Sequence, residues 1–308
     1  MAFTAKDVAL LREKTSCGMM DCKKALTEAN GDMEAAADIL REKGLAAAVK
    51  KAGRIAAEGI AFAEVSSCGK VGVVIEVNSE TDFVAKNADF QAFVKACADT
   101  VMEQNPADVE ALMACKMAGS DMTVDATLKE KILTIGENMK IRRFTRFEGD
   151  CVSYAHGGGR IGVLVKFEAD EACSGSEALV ECGKDVAMQI AALNPLYLDK
   201  TTVPAEDLEK EKSVLLAQID LDPKNANKPQ NIKEKMIVGR INKFYEQNCL
   251  MQQAFVKDGD INVEKYVANM AAQAGGTMKV VDYVRFEKGE GLQKREDNFA
   301  DEVANMVK

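Results

Sequence analysis

Two stretches about ninety residues apart, Val71–Asn78 and Ile161–Glu168, carry one alternation and constrain the fold more than any other feature. In the first, Val71, Val73, Ile75 and Val77 alternate with Gly72, Val74, Glu76 and Asn78. In the second, Ile161, Val163, Val165 and Phe167 alternate with Gly162, Leu164, Lys166 and Glu168. Period 2 predicts a strand with one apolar face. An earlier strand and a turn precede each: Ile60–Val65 with Ser66-Ser-Cys-Gly69, and Gly149–Ala155 with His156-Gly-Gly-Gly159. Both read as hairpins, so the sheets are antiparallel. A helix follows each, with Phe90, Phe93, Val94, Cys97 and Val101 on one stripe and Leu179, Cys182, Val186, Ile190 and Leu193 on the other. Both helices end in Asn-Pro, at Asn105 and Asn194. In 308 residues this predicts two related subdomains rather than a solenoid.

The copies part company between strand and helix. In the first, Thr81 and Asp82 are good N-cap residues for a short helix or turn beginning at Phe83, and Asn87 or Asp89 opens the longer helix. In the second, Ala169–Gly175 has no counterpart to Thr81-Asp82-Phe83-Val84. Phe83 either packs into the core beside Phe90 or belongs to a site. A distinctive loop on a duplicated scaffold points to a site.

The rest of the chain is mostly helical. Residues 1–54 read as a small helical domain: a capping-box-like start at Thr4–Asp7, a break at Thr15–Gly18, a second helix with Cys22, Ala25, Leu26 and Ala29 on one face, and a third through Leu40 stopped at Gly44. Met19 and Met20 are core filler or an adaptable contact surface, with at least one expected inside. A first core subdomain spans 55–140 and a second 141–290. The second carries a helical-hairpin insert at about 200–235, and residues 291–308 hold a C-terminal helix with Phe299, Val303 and Met306 on one face. The fold class is α+β.

Composition narrows function. A net charge of −9 argues against a phosphate-backbone binder. No apolar run reaches transmembrane length and no signal-peptide pattern opens the chain, so a cytoplasmic protein is expected. The nine cysteines contain no Cys-x-x-Cys and read as free, mostly buried thiols. His156 is the only histidine, which excludes a histidine-rich metal site. His156-Gly-Gly-Gly159 reads as a flexible turn bearing a surface contact, since no Gly-x-Ser-x-Gly elbow partners it. Two other readings stay open: a thiol enzyme using Cys151 or Cys249, and an RNA-binding module using Lys50, Lys51 and Arg54.

Four runs, in one order along the whole chain, resemble the elongation factor Ts family: Arg12–Leu26, Glu76–Asn87, His156–Leu164 and Glu234–Phe244. The resemblance implies a guanine-nucleotide exchange factor, not an enzyme, whose partner is elongation factor Tu. No cofactor, nucleic acid or membrane is implied. It implies a ubiquitin-associated-like fold for the three helices and a coiled-coil character for the insert, through which a homodimer is left open. It also implies that Thr81, Asp82, Phe83 and Val84 dislodge Mg2+ in the partner, with further contacts from Arg12, Met19, Met20 and His156.

Overall fold

The computed structural model describes residues 3–15, 17–225 and 228–293. Helices α1 (Ala5–Thr15), α2 (Met19–Glu28) and α3 (Met33–Lys51) come first. Then follow β1 (Glu58–Val65), β2 (Val71–Ser79), α4 (Asp82–Ala85), α5 (Ala88–Gln104), α6 (Val109–Ala114), α7 (Val124–Ile135) and β3 (Met139–Glu148). The second half has β4 (Asp150–His156), β5 (Ile161–Ala169), α8 (Glu177–Leu193), α9 (Ala205–Leu221), α10 (Gln230–Asn248), β6 (Ala254–Phe255), β7 (Asp258–Asn262), α11 (Val263–Gln273) and β8 (Met278–Glu287). This is an α+β architecture: three helices, then small antiparallel sheets packed with helices. The C-terminal helix expected beyond 291 lies outside the described residues, apart from the turn that reaches Gln293.

The three helices close on Val8, Leu11, Cys22, Ala25, Leu26, Ala36 and Leu40. α1 opens where the Asp7 carboxylate accepts from the Thr4 amide at 2.7 Å and the Thr4 hydroxyl at 2.8 Å. α3 does not stop at Gly44, as its pattern suggested. It runs through to Lys51 because the glycine faces α7, where a Cβ would lie 3.4 Å from the Lys129 carbonyl oxygen. Close packing outweighs the roughly 1 kcal/mol by which glycine weakens a helix interior. Ala48 is also buried there, and Lys51 Nζ donates to the Ile132 carbonyl at 3.0 Å. α3 therefore joins the three-helix unit to the core without a break.

Two three-stranded sheets follow, β1-β2-β3 and β4-β5-β8. Each is antiparallel, and each central strand bulges at the matching place, Glu76/Val77 and Lys166/Phe167. Val73, Ile75 and Val77 pack under α5 and α7, while Val163, Val165 and Phe167 pack under α8 and α11. α5 and α8 both end on a left-handed asparagine, Asn105 at φ 48° and Asn194 at φ 45°. The paired helices α9 and α10 enter the second half between α8 and α11, so the hairpin extends past the expected 235 to Asn248.

The alternation predicted one apolar face per sheet, but both faces are covered. The other faces meet each other through Ala61, Val74, Cys151, Leu164 and Phe286. The layers run helix, sheet, sheet, helix. The two second-position glycines let the sheets approach. A Cβ on Gly72 would fall 2.5 Å from Leu164 Cδ1, and one on Gly162 would fall 2.9 Å from the Ala61 carbonyl oxygen. Glu76, on this inner face, is fully buried and accepts from Arg142 at 2.9 Å, Arg143 at 2.6 Å and the Gly289 amide at 2.8 Å.

Candidate functional site

β2 ends at Ser79, and the next eight residues, 80–87, make a tight corner before α5. α5 takes Asn87 as its cap: the side chain accepts from the amides of Asp89 and Phe90. With the chain fixed there, four residues remain for α4. Its one buried side chain is Val84, which joins the core under β2 at 6% exposure. Phe83 projects the other way at 79% exposure, so it does not pack beside Phe90, which is fully buried. An isolated exposed apolar residue is ordinary. A phenylalanine ring presented on a corner whose flanks are both held is a different case.

Neither expected cap residue caps α4. Thr81 stands at the N-cap position, but its hydroxyl donates to Glu137 Oε1 at 2.7 Å and its amide to Glu137 Oε2 at 3.0 Å. Asp82 is the first helical residue, and its carboxylate accepts from Lys86 Nζ at 2.9 Å, one turn on. That bond holds the exposed Asp82 carboxyl below the usual range. The same ammonium lies 5.9 Å from the centroid of the Phe83 ring. Asp82, Phe83 and Lys86 thus form one surface cluster: an apolar ring flanked by an anion and a cation. The sequence reading missed Lys86 and Glu137. The spacing of Asp82 and Lys86 at i, i+4 was available as a signal; Glu137, over fifty residues away, had none.

His156 is exposed at the end of β4, its Nδ1 3.0 Å from the Tyr154 hydroxyl. The turn after it is anchored rather than loose. Gly157, Gly158 and Gly159 all have positive φ, at 59°, 66° and 89°, a run that side-chain-bearing residues rarely adopt. A Cβ on Gly159 would meet Ile60 Cγ2 at 2.7 Å, and the Gly159 carbonyl accepts from the Ala61 amide at 2.8 Å. Glu58, opposite Ser79 in register, pairs with Lys288, whose amide donates to the Arg160 carbonyl. The histidine turn and the Phe83 corner therefore share one end of the sheet pair.

Arg12, Met19 and Met20 lie on the three-helix unit, and the structure does not gather them around Phe83. All three are exposed, the methionines at 48% and 62%. Neither Met is core, because Cys22, Ala25 and Leu26 already fill the inner face of α2.

The competing chemistries find no geometry. Cys151 and Cys249 are buried, and burial pushes each thiol up to about 11, so neither is a thiolate at neutral pH. Lys51 Nζ is turned to the Ile132 carbonyl and Arg54 pairs with Glu80, so two of the three cations of the basic run are engaged within the fold, while Lys50 is exposed. Among the described residues no group of three or more His, Cys, Asp or Glu could hold a metal, and no helix is long and apolar enough to cross a membrane.

The family model described as Elongation factor TS matches residues 80–290, from the Phe83 corner to the last described turn. A curated protein of Clostridium perfringens named Elongation factor Ts is 52% identical over 307 residues, covering 98% of each chain. One of the same name from Clostridium kluyveri is 50% identical over 308 residues, covering 99% of this chain and 98% of its own. Another, from Syntrophotalea carbinolica, is 48% identical over 311 residues and covers both chains fully. With more than half of the chain matched by the model and near-complete relatives at this identity, the chain belongs to the elongation factor Ts family, the nucleotide exchange factors of translation elongation, and is not an enzyme.

Proposed function

We propose that the chain releases GDP from elongation factor Tu in the cytoplasm by inserting the Thr81–Val84 corner into the nucleotide-bound partner. The observation that carries this is Phe83, a ring 79% exposed on a corner anchored at Thr81, Val84 and Asn87. Free, it has no burial to lose. Bound, it gains an apolar environment. Linkage supplies the rest. A protein that binds the nucleotide-free GTPase more tightly than the GDP form must weaken GDP by the same factor. Phe83 enters the partner's packing, Asp82 and Lys86 redirect polar contacts beside it, Val84 holds the corner from below, and Mg2+ and then GDP leave. No bond is made or broken and no cofactor is needed.

The remaining assignments support this reading. The three helices act as a ubiquitin-associated-like docking module that grips the partner through Arg12, Met19 and Met20. His156, at the same end as Phe83, touches the partner beside the corner. The two sheet units, alike in order, register and bulge, are duplicated subdomains of which the first carries the wedge. The α9–α10 hairpin, with exposed Val214, Ile232 and Val238, is the surface for a homodimer. Release of fluorescent GDP from elongation factor Tu tests the central claim: wild-type protein accelerates it, and the Phe83→Ala protein, folded, does so poorly. Full acceleration by Phe83→Ala would remove the wedge.

A further inference from the structure

The two sheet units share one clamp, and the first has a second one. After each central strand, a carboxylate grips the residue before the third strand. Glu80 Oε1 accepts from the Asn138 amide at 2.5 Å, and Asp170 Oδ2 accepts from the Thr277 amide at 2.7 Å. Glu80 and Asp170 each follow the central strand directly, and Asn138 and Thr277 each precede the third. This shared clamp meets the structural need of the corner in both units. Glu137 and Thr81 are additional: the matching positions of the second unit are Gly276 and Glu171, which cannot make the pair.

From this we infer that Glu137 is a positioning residue for exchange, fixing the direction in which Phe83 is presented. The inference rests on the wedge reading above. Every polar group of Thr81 is engaged: its amide and hydroxyl donate to Glu137, and its carbonyl accepts from Ser79 Oγ at 3.0 Å. α4 begins at the next residue, so the orientation of Thr81 sets that of the ring. Glu137 is itself held. Gly136, at φ 91°, ends α7, and its amide and Lys51 Nζ both bind the Ile132 carbonyl. Since Lys51 ends α3, a continuous line of contacts runs from the docking helices through α3 and α7 to Glu137, Thr81 and the ring.

A preorganised ring acts on the maximal rate of release rather than on encounter with the partner. The test loads elongation factor Tu with fluorescent GDP and measures release over a range of exchange-factor concentrations. Glu137→Ala is expected to lower the maximal rate about tenfold with a half-saturating concentration unchanged within about twofold. Its Thr81 amide should exchange hydrogen faster. Glu137→Gln is expected to restore the rate, because its amide accepts from the Thr81 N–H and donates to the hydroxyl oxygen. Thermal unfolding confirms that each variant is folded. Should Glu137→Ala fail to fold, Thr81→Val, which loses the hydroxyl alone, is read by the same rate. If Phe83→Ala is slow while a folded Glu137→Ala or Thr81→Val releases GDP at the wild-type maximal rate, the positioning role is overturned and the wedge stands. If Phe83→Ala is itself fully active, the wedge has failed and the positioning role falls with it.

Discussion

Phe83 and Val84 are joined by one peptide bond, yet the first is 79% exposed and the second 6%. The two truncations should therefore separate stability from function. Phe83→Ala removes a ring that touches little, and its unfolding free energy should change by about 0.5 kcal/mol or less. Val84→Ala opens a small cavity beneath β2 and should cost about 2 kcal/mol. GDP release should fall sharply for Phe83→Ala and, per folded molecule, less for Val84→Ala. Urea unfolding beside release kinetics checks both, and a large stability loss in Phe83→Ala would return the ring to the core.

The packing of Gly72 on Leu164 makes a second expectation. A methyl group on Gly72 enters the space of the Leu164 side chain, whereas one on Gly162 meets the Ala61 backbone. A side chain can rotate away and a carbonyl in a paired strand cannot. Gly72→Ala should cost about 1–2 kcal/mol, and Gly162→Ala about 3 kcal/mol or more. Chemical denaturation of both variants measures the difference. Equal and negligible costs would mean that the sheets part more readily than this packing implies.

How far the sequence could be read follows from the range of each interaction. The strands, the antiparallel hairpins, the Asn-Pro helix ends and the loop at Thr81–Val84 were legible, because period, caps and turn residues act within a few positions. What failed was set across the fold. Gly44 looked like a helix stop, since nothing local shows that its bare face meets Lys129. The alternation gave one apolar face and left the Gly72, Val74, Glu76 and Asn78 face without a partner, since a polar residue reads the same whether it meets water or two arginines. Thr81 looked like a cap because threonine usually is one, but its acceptor Glu137 arrives from a loop fifty-six residues away.

The cysteines should show one reactive thiol. Cys68 is exposed in the β1–β2 turn, and hydrogen bonding, first from Ser66, draws its thiol below the ordinary value. Cys97, Cys151, Cys173, Cys182 and Cys249 are buried, and burial pushes each up. The thiolate is the attacking form, so alkylation of Cys68 should accelerate as pH rises and level off earlier than for a free cysteine. Mass spectrometry of the native protein after brief treatment with iodoacetamide should find the label first on Cys68. Early label on Cys151 or Cys249 would reopen the thiol reading.

Glu76 makes a pH-dependent contribution whose sign can be worked out. Burial alone would raise its carboxyl, but bonds from the Gly289 amide, Asn78, Arg142 and Arg143 outweigh that and leave it below the ordinary range. A carboxyl lowered in the folded state stabilises fully above its unfolded value and loses that contribution as pH falls through the folded one. Glu76→Ala also takes the shared carboxylate from Arg142 and Arg143, which keep Glu290 as a partner through its carbonyl and carboxylate and are partly exposed, so the loss should be about 2–3 kcal/mol at pH 7. Glu76→Gln keeps the volume and removes the charge. Its stability gap to the wild type should be large at neutral pH and shrink in acid, where the wild-type carboxyl becomes protonated too. Urea unfolding of both proteins between neutral pH and the low end of the carboxylate range reads this gap directly. A gap that stays constant across that range would show that the charge on Glu76, as distinct from its shape, contributes nothing.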